Sequence, residues 1–255
     1  MARLKGVRHE DRLTLVEHLD ELRGRLIVSI AVFGVALALC FWQNHLLLDI
    51  AKGPLPSDHD RLLTFGVTEP FMTTFTVAAY GAIILSLPII LFQLYAFVLP
   101  AFSQRERKAV TPLLLLIPLL FIAGVVFAYF VVMPTATKFL LNFNNDQFNV
   151  QVRARDYYSF FSTTLLAVGI IFQVPVGILA VTRLGIITPN QLSRNRRYAY
   201  LIIAVIAAAL PGVDPVTMLI EMLPLVVLYE LSIVLARLFG RPASGRLREP
   251  STQER

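Results

Sequence analysis

Cysteine is almost missing: Cys40 is the single thiol in 255 residues. One thiol cannot close an internal disulfide. The four histidines, His9, His18, His45 and His59, all fall outside the apolar runs and form no cluster, so no metal site is expected. Charge is scarce too. Only 16% of the residues are Asp, Glu, Lys or Arg, whereas 56% are hydrophobic and the mean hydropathy is +0.67. A soluble domain of this size is not so apolar, so the bilayer is the expected solvent. There is no Gly-rich phosphate loop, and no Ser–His arrangement can be built in the apolar runs, which argues against an ATP-driven pump or an intramembrane hydrolase. No cofactor and no catalytic residue are expected. The net charge of +6 needs no nucleic acid to explain it, because its distribution reports orientation. No cleavable signal peptide is expected, since the first apolar run follows a 25-residue polar stretch and no small-residue cleavage site comes after it.

What is abundant is long apolar sequence. Six segments stand out: Leu26–Trp42, Phe71–Leu99, Thr111–Met133, Tyr157–Val181, Tyr198–Leu210 and Val216–Ala236. The second to fourth easily reach the roughly 20 residues that cross a bilayer. The fifth does not, and the sixth carries Glu221 and Glu230. The last two either cross a locally thinned bilayer or form a re-entrant hairpin. Prolines at 88, 118, 175 and 224 fall mid-segment and are expected to bend the bundle. Residues 43–68 and 134–156 read as loops on one side.

Lysine and arginine set the sidedness. Eighteen of the 23 lie in residues 1–25, 105–108, 183–197 and 237–255, leaving five between the other segment ends. By the positive-inside rule both termini are cytoplasmic. The expected fold is an all-α polytopic membrane protein with six transmembrane helices in a curved bundle, the last two short. Residues 1–25 form a cytoplasmic amphipathic segment, 26–237 the transmembrane domain, and 238–255 a disordered cytoplasmic tail. No internal repeat is visible.

Five stretches carry polar chemistry. "VEHLDELRGRL" puts Leu15, Leu19, Leu22 and Leu26 on one helical stripe and Glu17, Asp20 and Glu21 on another. The plain reading is a solvated face with Glu21 paired to Arg25; the sharper one is an anionic landing site for a basic peptide. "LYAFVLPAFSQRERKAV" places Glu106 between Arg105 and Arg107 at the cytoplasmic interface, either as a compensating acid or as a second member of that site. "GIIFQVPVGIL" sets Gln173 and Pro175 within an apolar run, where an amide must find a hydrogen-bond partner, in the bundle or on another helix. "PGVDPVTMLIEMLPLVVLYEL" holds Asp214 in a turn and two acids beyond it, and "VTEPF" reads as a helix start with Glu69 as a dipole partner.

"HLDELRGRL", "LPIILFQLYAFVLPAFSQRERKAV", "FAYFVVMPTATKFL" and "PGVDPVTMLIEMLPLVVLYEL" resemble, in order and over nearly the whole chain, the TatC family. That family is the large multi-spanning subunit of the twin-arginine protein translocase. The resemblance implies six helices curved like a cupped hand, and the basic tails without a transit peptide lead us to expect a bacterial inner membrane. It implies a receptor for the paired arginines of signal peptides on folded cargo, with transport driven by the proton-motive force. Implied partners are single-span subunits of the TatA/TatB type and further copies of the chain itself. The family's signal-binding acids fall on Glu21 and Glu106, with Arg23 and Arg105 beside them. Gln173 and Pro175 become the partner-helix contact, and Pro54, Glu69, Phe97 and Asp214 are further candidates. Where the family commonly has a glutamate in the fourth span, this chain has Gln173, which can hydrogen-bond but cannot carry a titrating charge. A small-solute secondary transporter is the alternative, but it would gather polar groups at the bilayer midplane, and here they collect near the cytoplasmic face.

Overall fold

The computed structural model describes residues 15–56, 61–98, 115–148, 150–183, 185–211 and 214–239. Helix dominates, as it must where no water can satisfy backbone N–H and C=O groups. The elements are α1 (Leu15–Trp42), α2 (Asn44–Lys52), α3 (Glu69–Val98), α4 (Leu116–Phe127), a π-helical turn (Ala128–Val132), α5 (Met133–Asn142), α6 (Ala154–Ile171), α7 (Val174–Arg183), α8 (Pro189–Arg194), α9 (Arg196–Ala209) and α10 (Pro215–Phe239).

Five helical segments are long and apolar enough to cross a membrane: His18–Trp42, Glu69–Phe97, Leu116–Asn142, Ala154–Arg183 and Pro215–Leu238. Their outer faces carry exposed Leu, Ile, Val and Phe side chains, which suits hydrocarbon rather than water. The fifth apolar segment is α9, whose 14 residues extend about 21 Å.

Packing follows small residues. Ala36 and Cys40 of α1 meet Ala78 and Ala82 of α3 in a tight seam. Gly124 of α4 lies against Gly169 of α6, so close that a Cβ on Gly124 would come within 3.0 Å of the Gly169 Cα. α6 lies at the centre, packed on α3 and α4, with Tyr157, Phe161, Leu165 and Val168 buried in the main core. α10 packs on α7 and α9 through a second cluster of Ile203, Ala207, Leu225, Tyr229 and Ile233.

Three features differ from the reading of the sequence. The loop expected over residues 43–68 contains α2, whose final carbonyls accept hydrogen bonds from tyrosines of distant segments. Tyr129 Oη donates to Ile50 O at 2.9 Å and Tyr157 Oη to Ala51 O at 2.6 Å, satisfying helix-end acceptors that would otherwise need water. The loop expected from residue 134 begins only after Asn142, because α5 continues the third segment. The prolines also act differently. Pro88 and Pro224 lie inside helices, but Pro118 falls in the first turn of α4 and Pro175 in the first turn of α7. The fourth segment is interrupted by a turn at Phe172–Gln173, just before Pro175.

The two connections at one end are joined. Leu63 N donates to Val152 O at 2.9 Å and Ala154 N to Leu63 O at 2.8 Å, an isolated parallel bridge between the chain before α3 and the start of α6.

Candidate functional site

At the N-terminal end of α1 an acid sits against the last turns of α3. Glu21 and Arg25 are one helical turn apart, and Arg25 donates to Glu21 Oε1 through Nε at 3.1 Å and Nη2 at 2.6 Å. Its remaining Nη1 donates to Gln93 Oε1 of α3 at 3.0 Å, so the guanidinium spans both helices. The His18 ring stacks on Phe97 with centroids 4.2 Å apart, and its Nδ1 lies 3.8 Å from Glu21 Oε2. Glu21 thus keeps one oxygen without a hydrogen bond from Arg25, and its side chain is 27% exposed. That oxygen accepts no hydrogen bond among the described residues, and a carboxylate already holding one guanidinium in place can accept a second through it. Arg23 is exposed on the same helix. Arg105 and Glu106 lie outside the described residues.

Gln173 occupies the break between α6 and α7. Its N–H donates to Ile170 O at 2.9 Å, and Pro175 has no N–H to continue the ladder. The side chain is buried, with Nε2 donating to Ile117 O of α4 at 3.2 Å and Oε1 left without a hydrogen-bond partner among the described residues. Pro175 is fully buried beside it.

The remaining candidates hold chain ends. Asp214 Oδ1 accepts from Thr217 N at 2.7 Å, capping α10 ahead of Pro215, and the residue is buried, its Oδ2 without a hydrogen-bond partner among the described residues. The buried Pro54 offers its carbonyl to Thr137 Oγ1 at 3.1 Å. Glu69 does more than complement a helix dipole. It accepts from Arg153 Nε at 2.7 Å, from Arg153 Nη2 at 3.2 Å, and from the N–H groups of Phe65 and Gly66 at 2.9 and 3.2 Å. Glu230 is paired as well, with Arg196 Nη2 and Tyr200 Oη each at 2.7 Å.

Residues 17–224 match the family described as Sec-independent protein translocase protein, TatC. A TatC protein of Carboxydothermus hydrogenoformans is 37% identical over 230 residues, covering 89% of this chain and 95% of that protein. One from Aquifex aeolicus is 36% identical over 233 residues, covering 90% and 97%. A crystal structure of a twin-arginine translocase receptor, TatC, superposes with a TM-score of 0.73 at 36% identity, covering 88% of this chain and all of that one. The chain belongs to the TatC family.

Within this TatC chain the Glu21–Arg25 pair follows from spacing alone. Its links to Gln93 and Phe97 do not, because they join positions 68 or more apart through the α1–α3 seam. Arg153 was missed as a site residue. The only signal for it is that it is a basic residue on the side where such residues are rare.

Proposed function

We propose that this chain is the receptor subunit of a twin-arginine translocase, binding the paired arginines of signal peptides on folded proteins and scaffolding their proton-motive-force-driven export. The observation that carries this reading is the Glu21 carboxylate: one oxygen is held by Arg25, and the other, 3.8 Å from His18 Nδ1, accepts no hydrogen bond among the described residues and can take a further guanidinium. Glu106 joins it as the second acid, with Arg23 and Arg105 tuning the carboxylates. A pair of acids suits two guanidinium groups because each makes bidentate, charge-assisted contacts. Phe97, stacked on His18, forms an apolar wall beside Glu21.

In this reading the chain has six spans, α9 crossing a thinned bilayer, with both termini cytoplasmic in a bacterial inner membrane. Single-span TatA/TatB-type subunits and further copies of the chain complete the complex. Gln173 is the proposed contact for a partner helix; its Oε1 is buried in the chain and would turn outward at the α6–α7 break to accept from that helix. The fit to the TatC family over residues 17–224 supports the role.

Site-specific cross-linking of an Arg-Arg signal peptide tests the proposal. Glu21→Lys or Glu106→Lys should abolish the adduct while the protein remains inserted; undiminished adducts in both variants overturn it. Topology is read separately. Cysteines at Ser57 and Asn145 should label from outside sealed cells, and those at Ser103 and Ser193 should not.

A further inference from the structure

An open cleft of about 580 Å³ lies between the first turns of α3 and α6. It is at the end of the bundle away from Glu21, separated from it by most of α3, a helix roughly 45 Å long. Arg153, Arg155, Glu69, Thr68, Thr76 and Ser159 are among its lining residues. Their charges are not equivalent. Both Glu69 oxygens are engaged by Arg153 and by two backbone N–H groups, so that ion pair is closed on itself. Arg155 is exposed on the cleft wall and makes no hydrogen bond or ion pair among the described residues. The lining therefore carries one uncompensated positive charge with five N–H donors, next to hydroxyl groups.

The surroundings narrow the ligand. Phe65 and Met72 line the cleft and are exposed, and Val67, Phe71 and Phe75 are exposed nearby. α3 is one of the segments long and apolar enough to cross a bilayer, and the cleft opens at its first turn. A cation at the end of an apolar span, beside exposed aromatic and thioether side chains, sits where hydrocarbon gives way to headgroups. A phosphodiester brings a single negative charge, which Arg155 alone balances. Free phosphate brings a larger mean charge at neutral pH, between about −1 and −2, and would set the excess against Glu69.

We propose that this cleft binds the phosphodiester of an anionic phospholipid. Arg155 holds the phosphate, the hydroxyls of Thr68 and Ser159 face the headgroup, and an acyl chain runs over Met72 and Phe75. Choline-bearing lipids fit less well, because their cationic group would meet the uncompensated charge of Arg155. The assignment goes beyond the receptor reading and does not depend on it, since the cleft and Glu21 lie at opposite ends of α3.

The purified full chain in detergent micelles, titrated with phosphatidylglycerol, phosphatidylcholine or inorganic phosphate, provides the test. Native mass spectrometry counts bound lipid and thermal unfolding reports stabilisation. Phosphatidylglycerol should be retained in preference to phosphatidylcholine and should raise the unfolding temperature. Arg155→Gln should lower its apparent affinity roughly tenfold or more, the effect of losing a charge-assisted contact. Arg155→Lys should keep part of the preference, and Lys138→Gln, a basic residue outside the cleft lining, should keep all of it. Equal retention of the two lipids, an unchanged preference in Arg155→Gln, or equal stabilisation by inorganic phosphate would each overturn the proposal. None of these outcomes bears on signal-peptide cross-linking at Glu21.

Discussion

Arg153 and Glu69 stand 84 positions apart in the chain, yet they close a two-point ion pair, Nε to Oε1 at 2.7 Å and Nη2 to Oε2 at 3.2 Å. The carboxylate is 7% exposed and the guanidinium 37%. The contact joins the first turn of α3 to the residue just before α6. Removing either partner leaves the other without its counter-charge. Arg153→Gln and Glu69→Gln should each lower the unfolding temperature in detergent. The double variant should be less destabilised than the sum of the two, because it strands no lone charge. Additive losses would show that the pair is not coupled.

Glycines separate cleanly by what a methyl group would meet. A Cβ on Gly124 would lie 2.8 and 2.9 Å from Phe172 Cγ and Cβ and 3.0 Å from the Gly169 Cα, whereas one on Gly177 would meet nothing within 4 Å. Gly124→Ala should destabilise by about 1–3 kcal/mol through overpacking. Gly177→Ala should be neutral or stabilise by roughly 0.4–1 kcal/mol, because it restricts the unfolded chain in a helical position. Thermal or denaturant unfolding of both variants checks the contrast.

Tyr157→Phe removes the 2.6 Å hydrogen bond to Ala51 O while keeping the ring in the core. The cost should be about 1–3 kcal/mol, since the freed carbonyl at the end of α2 is left in a buried place. Tyr129→Phe acts on the neighbouring Ile50 carbonyl in an exposed setting and should cost less. Protease cleavage within residues 43–56 should quicken in the Tyr157 variant more than in the Tyr129 one.

Gln173→Leu loses the donor to Ile117 O and the free Oε1 together. Cross-linking to single-span partners should fall by an amount on the order of one intramembrane hydrogen bond, about 0.6–2 kcal/mol. Signal-peptide cross-linking at Glu21 should be kept. Gln173→Glu should be tolerated, because a protonated carboxyl group can donate and accept in the same place. Normal partner cross-linking in Gln173→Leu would limit the residue to packing within the chain.

The membrane spans were legible because apolar runs of such length have few other uses. The shortness of α9 was legible too, from Arg197 at one end and Pro211 at the other. α2 was not, although Gly53 and Pro54 follow it: nine amphipathic residues between polar neighbours look like any loop until the tyrosines that hold its end are in view. The π-helical turn at Ala128–Val132 leaves no composition signal, since it is a change of hydrogen-bond register within an apolar run. At the candidate site, the Glu21–Arg25 pair is set by helical period and could be read directly. Gln93 and Phe97 come to it only through the α1–α3 packing, and Arg153 comes to Glu69 only through the bridge at Leu63. Contacts of that kind are fixed by tertiary geometry, which one sequence does not print.

That bridge also sets an order of release. Around residue 153 the main chain is tied to Leu63 on both sides while the side chain is tied to Glu69, so the start of α6 cannot come free without breaking all of these at once. α9 is fastened differently. Its ion pair to Glu230 involves side chains 45% and 35% exposed, and these can open one at a time. Amide hydrogens of α9 should therefore exchange with deuterium before those of α6, and partial denaturation should yield a species that has shed its C-terminal helices while its central ones stay closed.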